Sequence, residues 1–206
     1  MKNIYLIRHG RTDYNILGKY QGISDISLNE IGEIQSKKLV NYFKDIKIDK
    51  IFISNLKRTN ETIKYLSDYK NIQPEIIEGL NELNGGYFEG KTDSELTPLY
   101  SNEVNNLRHN LPMFNPPNGE SSKEAYERII KTISEIVTKT DYENIIIVSH
   151  GLVLMLFLGY ISNIPFDKIE HIYLENTSVS KICFNNNKFD IEYINDFKHL
   201  SENDII

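Results

Sequence analysis

Short apolar runs alternate along the chain with longer segments in which apolar residues recur every three or four positions. The short runs are rich in strand-forming residues and too brief for helices, so they predict buried strands at residues 4–7, 50–54 and 144–149. The longer segments predict helices over about residues 28–43, 56–66, 121–137 and 152–160. This alternation favours an α/β fold, a three-layer αβα sandwich with a mostly parallel central sheet.

Polar residues mark where several elements begin and end. Ser27 and Glu30 have the spacing of a capping box before the first long helix. Near the C-terminus, alternation over residues 182–184 predicts a half-exposed strand that pairs with residues 191–194 across an asparagine turn. We expect the tail from residue 198 onward to be frayed.

Residues 91–120 are the least regular part of the chain. Proline residues, including Pro98, Pro112 and Pro116, interrupt any long element there. We therefore expect short helices inserted over one edge of the sheet as a lid. With no internal repeat and a length of 206 residues, the chain is expected to form a single domain over residues 1–206, with 91–120 as its lid-like insert.

Composition narrows the class of protein. A formal net charge of −6 disfavours a nucleic-acid partner. One cysteine, Cys183, excludes an intramolecular disulfide and a cysteine-based metal cluster. The apolar run after Lys2 is too short for a signal peptide, and the longest apolar stretch, residues 152–161, is roughly half a membrane span. We expect a soluble cytoplasmic protein without a membrane partner, either a monomer or a homodimer.

Cationic side chains follow the predicted strands at the points where those strands end. Arg8 and His9 follow the first strand, Ser54 ends the second strand with Arg58 just beyond it, and His150 follows the third strand. Because the carboxyl ends of parallel strands meet at one edge of a sheet, these groups can converge. Two histidines and two arginines in an acidic body predict a local anion site.

Several catalytic classes fit this cluster poorly. A metal held by His9 and His150 would need a third ligand, and the neighbouring arginines would oppose a dication. The sequence contains neither a G-x-S-x-G elbow nor a P-loop. The remaining chemistry is a neutral histidine that attacks phosphorus while arginines offset the charge on the phosphoryl oxygens.

Six segments, in order along the chain, resemble the signature of the histidine phosphatase (phosphoglycerate mutase-like) superfamily. They are Arg8-His9-Gly10-Arg11-Thr12 with Asn15; Gln21-Gly22 with Leu28-Asn29 and Gly32; Ser54-Asn55-Leu56-Lys57-Arg58-Thr59; Leu80-Asn81-Glu82-Leu83 before Gly86-Tyr87-Phe88-Glu89-Gly90; Asn118-Gly119-Glu120-Ser121; and Ser149-His150-Gly151. Thr59 stands where alanine is usual, and Phe88 replaces tryptophan. The resemblance covers residues 8–151.

The resemblance implies a role for each of these residues. His9 is the nucleophile that becomes phosphohistidine, and Glu82 is the general acid that protonates the leaving oxygen and then activates water. Arg8, Arg58 and His150 bind the transferred phosphoryl group. Further contacts to phosphate or substrate are implied for Asn15, Thr12, Gln21, Gly22 and Gly151. No metal and no cofactor are implied.

The implied activity is that of a metal-independent phosphomonoesterase, a histidine acid phosphatase-type hydrolase of the phosphatase branch that acts on a small phosphorylated metabolite. The alternative within enzymes is a cofactor-dependent phosphoglycerate mutase, which carries an E-R-H-Y segment at the acid. Here Leu83, Asn84 and Gly85 follow Glu82 instead. A catalytically inactive phosphoprotein-binding module is disfavoured, because both histidines, both motif arginines and the glutamate are present.

The other polar residues have either two possible roles or no expected role in catalysis. Arg11 stands where the family commonly has glutamate or glutamine, and it could either add charge for a polyanionic substrate or face solvent. Arg108 and His109 in the lid could contact the far end of the substrate, but we expect a solvated surface pair. Structural or incidental positions are expected for Cys183, His171 and His199.

Overall fold

The computed structural model describes residues 1–169 and 172–205 of the chain and is built around a six-stranded sheet. The strands are β1 (Lys2–Arg8), β2 (Lys50–Ile53), β3 (Glu75–Ile76), β4 (Asn144–Ser149), β5 (Val179–Asn185) and β6 (Lys188–Asp196). They lie in the order β3-β2-β4-β1-β5-β6, with the first four parallel and the last two antiparallel to their neighbours. The predicted α/β class with a mostly parallel sheet is confirmed.

Helices cover both faces of this sheet. They are α1 (Asp13–Ile16), α2 (Glu30–Phe43), α3 (Lys57–Lys70), α4 (Asp93–His109), α5 (Ser122–Lys139), α6 (Gly151–Ile161) and α7 (Glu202–Ile205). Helices α2 and α3 pack together against one face, and α5 and α6 pack together against the other. No helix in the described part of the chain is long and apolar enough to cross a lipid bilayer.

The pleat of β1 divides the core into two clusters. Ile4 and Leu6 point into the cluster shared with α5 and α6, whereas Tyr5 and Ile7 point into the one shared with α2 and α3. Because both faces are covered, the strand is apolar at successive positions rather than alternately. The same reasoning explains why α6 is apolar all round, since it lies between the sheet and α5.

The start of α2 differs from the prediction. The cap is Asn29, whose side-chain oxygen accepts the Gly32 N–H at 2.9 Å, rather than Ser27. The backbone N–H of Leu28 instead donates to Glu61 of α3 at 2.7 Å. This tertiary contact precedes the cap, and the helix begins two residues later than the capping-box spacing indicates.

Residues 91–120 contain short helical stretches, as expected, whereas the expectation of a frayed tail needs correction. Helix α4 breaks at Tyr100, where the backbone leaves the helical region, so two shorter helical stretches meet there, and a single helical turn follows at Leu111–Met113. The tail is not wholly frayed, because α7 docks on α2: Asp204 is buried and contacts Lys38. This contact cannot be read from local sequence, since it joins residues far apart in the chain.

The register of the parallel strands places their carboxyl ends side by side. Arg8 lies opposite Ser149 across β1 and β4, and Ile53 lies opposite Val148 across β2 and β4. The residues that follow these pairs therefore emerge at one edge of the sheet. That edge carries the candidate site.

Candidate active site

His9 is the buried residue at the centre of the site, with 3 % of its surface exposed. Its Nδ1 lies 2.7 Å from the Gly10 carbonyl oxygen. Since a carbonyl can only accept, Nδ1 carries the proton and Nε2 carries the lone pair. Burial, together with the positive charges of Arg58 and Arg8, holds the pKa of His9 well below 6.5. The imidazole is thus a neutral base with a defined nucleophilic nitrogen.

The backbone around His9 is held at three points. The His9 N–H donates to Ser149 at 3.0 Å, and the His9 carbonyl accepts from the side chain of Asn176 at 2.8 Å. The Gly10 N–H donates to the hydroxyl of Thr62 at 2.7 Å. Asn176 and Thr62 were missed from the sequence. The polar run just before β5 was a signal for Asn176, because an antiparallel strand begins at the edge where its parallel neighbours end.

Arg58 is fully buried and donates three hydrogen bonds to groups of the protein. Its Nη1 donates to Ser24 at 2.8 Å, its Nη2 to Gly22 at 2.7 Å, and its Nε to Nδ1 of His150 at 3.1 Å. Burial lowers the pKa of Arg58 to about 10, which leaves it charged at neutral pH. Gly22 has φ of +48°, and a Cβ there would lie 2.3 Å from Glu89, so only glycine fits this turn.

His150 lies against Arg58 rather than on the cavity wall. Its Nδ1 accepts from Arg58, so its Nε2 carries the proton and donates to the Ser54 hydroxyl at 2.9 Å. Burial and the charge of Arg58 hold its pKa well below 6.5. Both ring nitrogens are therefore engaged, and His150 orients Arg58 in this structure. A direct contact from His150 to phosphate stays a prediction.

Arg8 presents an unused donor. One Nη bonds the Leu174 carbonyl, and the guanidinium lies 5.6 Å from the centre of the Tyr173 ring. Its Nε is buried and has no hydrogen-bond partner. A Cβ at Gly151 would lie 3.3 Å from that Nε, so glycine keeps the space beside it open. A buried, unpaired and charged donor is suited to an incoming anion.

Glu82 is fixed at the start of α6. Its carboxylate accepts N–H groups from Leu83 at 2.9 Å, Leu152 at 3.2 Å and Val153 at 3.3 Å. A helix N-terminus favours a negative charge at this position. Glu82 shares a cavity of about 750 Å³ with Arg8, His9 and Arg58, and Gln21, Gly22 and Gly151 also line it.

Two residues predicted to bind phosphate are occupied elsewhere. Thr12 is fully buried and caps α1, and the Asn15 side chain accepts the Thr12 N–H at 3.1 Å, so the pair closes a capping box. Neither residue lines the cavity. Gln21 does, and its side-chain oxygen is buried without a hydrogen-bond partner.

The structure decides the open question about Arg11. Its Nη1 donates to the Ile205 carbonyl at 2.9 Å, away from the cavity. Gln35 links the same elements, because it accepts the Arg11 N–H at 2.9 Å and donates to the Asp204 carbonyl at 2.8 Å. Arg11 therefore ties the C-terminal helix α7 to the loop after His9.

We expect Arg11→Gln to lower stability without changing substrate preference. Losing one partly buried hydrogen bond costs about 1 kcal/mol, which corresponds to a fall in Tm of about 2–4 °C for a chain of this size. Thermal unfolding measures the first effect. The ratio of kcat/KM for a singly and a doubly phosphorylated substrate measures the second, and a selective loss on the doubly charged substrate would contradict this assignment.

The other polar residues fall into two groups. Arg108 and His109 are not a simple surface pair, because both line the outer part of the cavity and Arg108 forms an ion pair with Asp93. Cys183 is partly buried in β5, and His199 lies 3.3 Å from the Thr177 hydroxyl. His171 lies outside the described residues. Across residues 1–169 and 172–205, no group of three or more histidine, cysteine or acidic side chains is placed to hold a metal ion.

The chain is similar to known proteins over nearly its whole length. The family model described as "Histidine phosphatase superfamily (branch 1)" matches residues 4–197. The chain is 29% identical to "Putative phosphoserine phosphatase 2" of Hydrogenobacter thermophilus, covering 98% of this chain and 99% of that one. It is 28% identical to "Probable phosphoglycerate mutase GpmB" of Erwinia tasmaniensis, over 88% and 85% respectively. The solved structure "Bacillus stearothermophilus YhfR" superimposes with a TM-score of 0.92 at 26% identity, covering 97% and 99%.

Proposed function

We propose that this chain, which belongs to the histidine phosphatase superfamily (branch 1), is a metal-independent phosphomonoesterase that acts on a small phosphorylated metabolite. One observation carries the proposal. The unprotonated Nε2 of His9 shares a cavity with the unpaired Nε–H of Arg8 and the carboxyl group of Glu82. A nucleophile, an anion donor and an acid are the three groups that phosphoryl transfer through an enzyme intermediate requires.

In the first half of the reaction, His9 Nε2 attacks phosphorus in line with the ester oxygen. The P–N bond forms as the P–O bond breaks, and the leaving oxygen takes a proton from Glu82. Arg8 and Arg58 offset the charge on the phosphoryl oxygens. The Gly10 carbonyl that accepts from His9 Nδ1 stabilises the positive charge that the ring gains.

In the second half, water replaces the alcohol. The Glu82 carboxylate takes a proton from water, whose oxygen attacks phosphorus while the P–N bond breaks. His9 regains its lone pair, and inorganic phosphate is released. The N–H groups of Leu152 and Val153 keep the carboxylate beside the reacting oxygen in both halves.

The acid phosphatase type is part of the proposal, and the lowered pKa of His9 supports it. A histidine with a pKa of 6.5 would be only about one-tenth neutral at pH 5.5. Because burial, Arg58 and Arg8 lower the pKa of His9, its nucleophilic form persists into mild acid. As the pH falls below neutral, His9 therefore keeps its nucleophilic lone pair at values where an ordinary histidine would lose it.

Nuclear magnetic resonance of the ¹⁵N-labelled rings tests this pH dependence directly. We expect the His9 signals to show the neutral Nδ1–H tautomer from pH 7.5 down to pH 5.5. Comparison with His9→Ala assigns the signals. A protonation midpoint near 6.5 would contradict the low pKa and remove the argument for acid activity.

The lid and the single domain also remain part of the proposal. The end of α4 and the loop after it support a lid over residues 91–120, because Leu107 and Phe114 line the cavity. One apolar cluster that includes residues from Ile4 to Ile182 supports a single domain over residues 1–206. We also propose that the protein is a cytoplasmic monomer or homodimer and has no nucleic-acid partner.

Hydrolysis of 4-nitrophenyl phosphate by the purified protein in excess EDTA tests the function. We expect the rate to be the same with and without chelator, because cationic side chains take the place of a metal. A panel of phosphorylated metabolites, phosphoserine among them, then ranks substrates. Loss of activity in EDTA would overturn the proposed mechanism.

Similarity to the mutase of Erwinia tasmaniensis keeps phosphoglycerate mutase as the second candidate. The discriminating measurement is interconversion of 2- and 3-phosphoglycerate with a bisphosphate primer. We expect hydrolysis to exceed isomerisation. Primer-stimulated isomerisation that exceeds hydrolysis would make the chain a mutase.

A further inference from the structure

The cavity extends beyond the phosphoryl-binding groups into what we call the apolar chamber. It is lined by Phe88, Leu107, Phe114, Leu152, Met155 and Ile172. These residues come from separate parts of the chain: the turn at Gly86–Phe88, the end of α4, the loop before α5, the first turns of α6, and the segment before β5. The chamber is therefore a product of the tertiary structure and not of any one motif.

The size of the cavity exceeds what a small polar ester needs. Its volume of about 750 Å³ lies within the 300–1,000 Å³ that is typical of sites for drug-sized ligands. A phosphoryl group with a three-carbon body, such as phosphoserine or phosphoglycerate, would leave most of this space to water. A larger leaving group would fill it.

The charged side chains of the described wall fall into two groups. Arg8, Arg58 and Glu82 stand at the phosphoryl end. Lys19, Arg108 and His109 complete the set near α4 and the N-terminal loop, where Arg108 is already paired with Asp93. The side chains of the chamber itself offer carbon surface, so a carboxylate held against them would lose its hydration without gaining a partner.

Tyr20 also lines the cavity, and its hydroxyl group is already bonded within the protein. Its hydroxyl donates to Asp93, which joins Tyr20 and Arg108 in one network. An apolar group in the chamber gains burial without competing for these bonds. A polar tail on such a substrate can extend toward Lys19, which lies over the Tyr14 ring.

We propose that the substrates of this site are phosphomonoesters of bulky apolar alcohols, whose aromatic or branched aliphatic body occupies the apolar chamber. This inference rests on the proposed phosphatase function and defines its leaving group. It separates this chain from an enzyme built for phosphoserine, because a zwitterionic three-carbon leaving group makes no use of the chamber.

The test compares two esters that differ only in the apolar body. In 3-phenylpropyl phosphate and propyl phosphate the leaving groups are both primary alkoxides, so leaving-group chemistry is nearly the same. We expect kcat/KM to be about 10- to 100-fold higher for the phenyl ester, as burial of one aromatic ring allows. Phosphoserine and 3-phosphoglycerate are expected to fall with or below propyl phosphate.

A matched pair of variants locates the effect. Met155 is buried on the chamber wall, whereas Met113 is 64% exposed and does not line the cavity. We expect Met155→Gln to reduce the ratio of the two kcat/KM values by about tenfold, because it places an amide in the chamber. Met113→Gln should leave that ratio unchanged, and thermal unfolding checks that both variants are folded.

A binding measurement separates failure of this inference from failure of the phosphatase function. The matching phosphonates, 3-phenylpropylphosphonate and propylphosphonate, cannot be hydrolysed, and calorimetry gives their Kd values. Tighter binding of the phenyl compound, lost in Met155→Gln, supports the chamber even if hydrolysis fails. Equal Kd values and equal kcat/KM values, or a preference for phosphoserine, would overturn the inference while leaving a phosphatase.

Discussion

Replacing His9 with alanine is expected to reduce phosphomonoester hydrolysis on the order of 10⁴-fold or more. The variant has no atom that can form the P–N bond, and loss of a covalent nucleophile has effects of this size or larger in other enzymes. Steady-state kinetics with 4-nitrophenyl phosphate gives the magnitude. Activity within tenfold of the unmodified protein would rule out His9 as the nucleophile.

Two measurements keep this result from being explained by misfolding. Arg8 and Arg58 remain in the variant, so inorganic phosphate should still raise its unfolding temperature. The unmodified protein, quenched with base during turnover of a ³²P-labelled ester, should carry an acid-labile label that His9→Ala lacks. A label that persists in the variant would assign the intermediate to another residue.

Glu82→Gln is expected to lower kcat/KM by about 100-fold or more for an alkyl phosphate, and by much less for 4-nitrophenyl phosphate. An alkoxide needs a proton as it leaves, whereas nitrophenolate leaves readily without one, and general acids contribute about 10²- to 10⁴-fold. The amide keeps the volume of the side chain, and its oxygen can still accept from Leu83 and Val153, which both donate to Oε1, whereas the bond from Leu152 to Oε2 is lost. A packing defect would slow both esters alike, so a difference between the two leaving groups measures the loss of proton transfer.

The same variant should also slow the second half of the reaction. With 4-nitrophenyl phosphate, formation of phosphohistidine becomes faster than its hydrolysis, so a burst of nitrophenol equal to the enzyme concentration is expected. Glu78→Gln is the control, since Glu78 is exposed in the preceding turn. Equal losses on both esters without a burst would indicate that Glu82 positions α6 and does not transfer a proton.

The proposed division of work between the two arginines has a physical basis in their partners. Arg58 uses three donors to hold the loop at Gly22 and Ser24 and the ring of His150, so much of its role is to organise the site. Arg8 has a buried Nε–H with no partner and is the more available of the two for an incoming anion. A fully buried arginine is kept charged by such bonds, which offset part of its desolvation.

Much of the fold could be predicted because its signals are local. Strands β1, β2 and β4 are short apolar runs, the helices have apolar faces at helical spacing, and the hairpin of β5 and β6 turns at asparagines with positive φ. The same local patterns placed Arg8, His9, Arg58 and His150 at strand ends and on the first turn of a helix, where a parallel sheet brings them together. Glu82 required the resemblance to a family, because an isolated glutamate in a loop has no local signature.

The sequence by itself determined the order of the elements and the α/β class, and it identified His9 as the candidate nucleophile with its arginines. Only the tertiary structure decided which nitrogen of His9 is free, that His150 faces Arg58, that Arg11 holds α7, and that an apolar chamber adjoins the phosphoryl site. The reason is one of distance along the chain. Hydropathy and capping act between residues a few positions apart, whereas tautomers, side-chain partners and cavity walls are fixed by contacts between residues tens to more than a hundred positions apart.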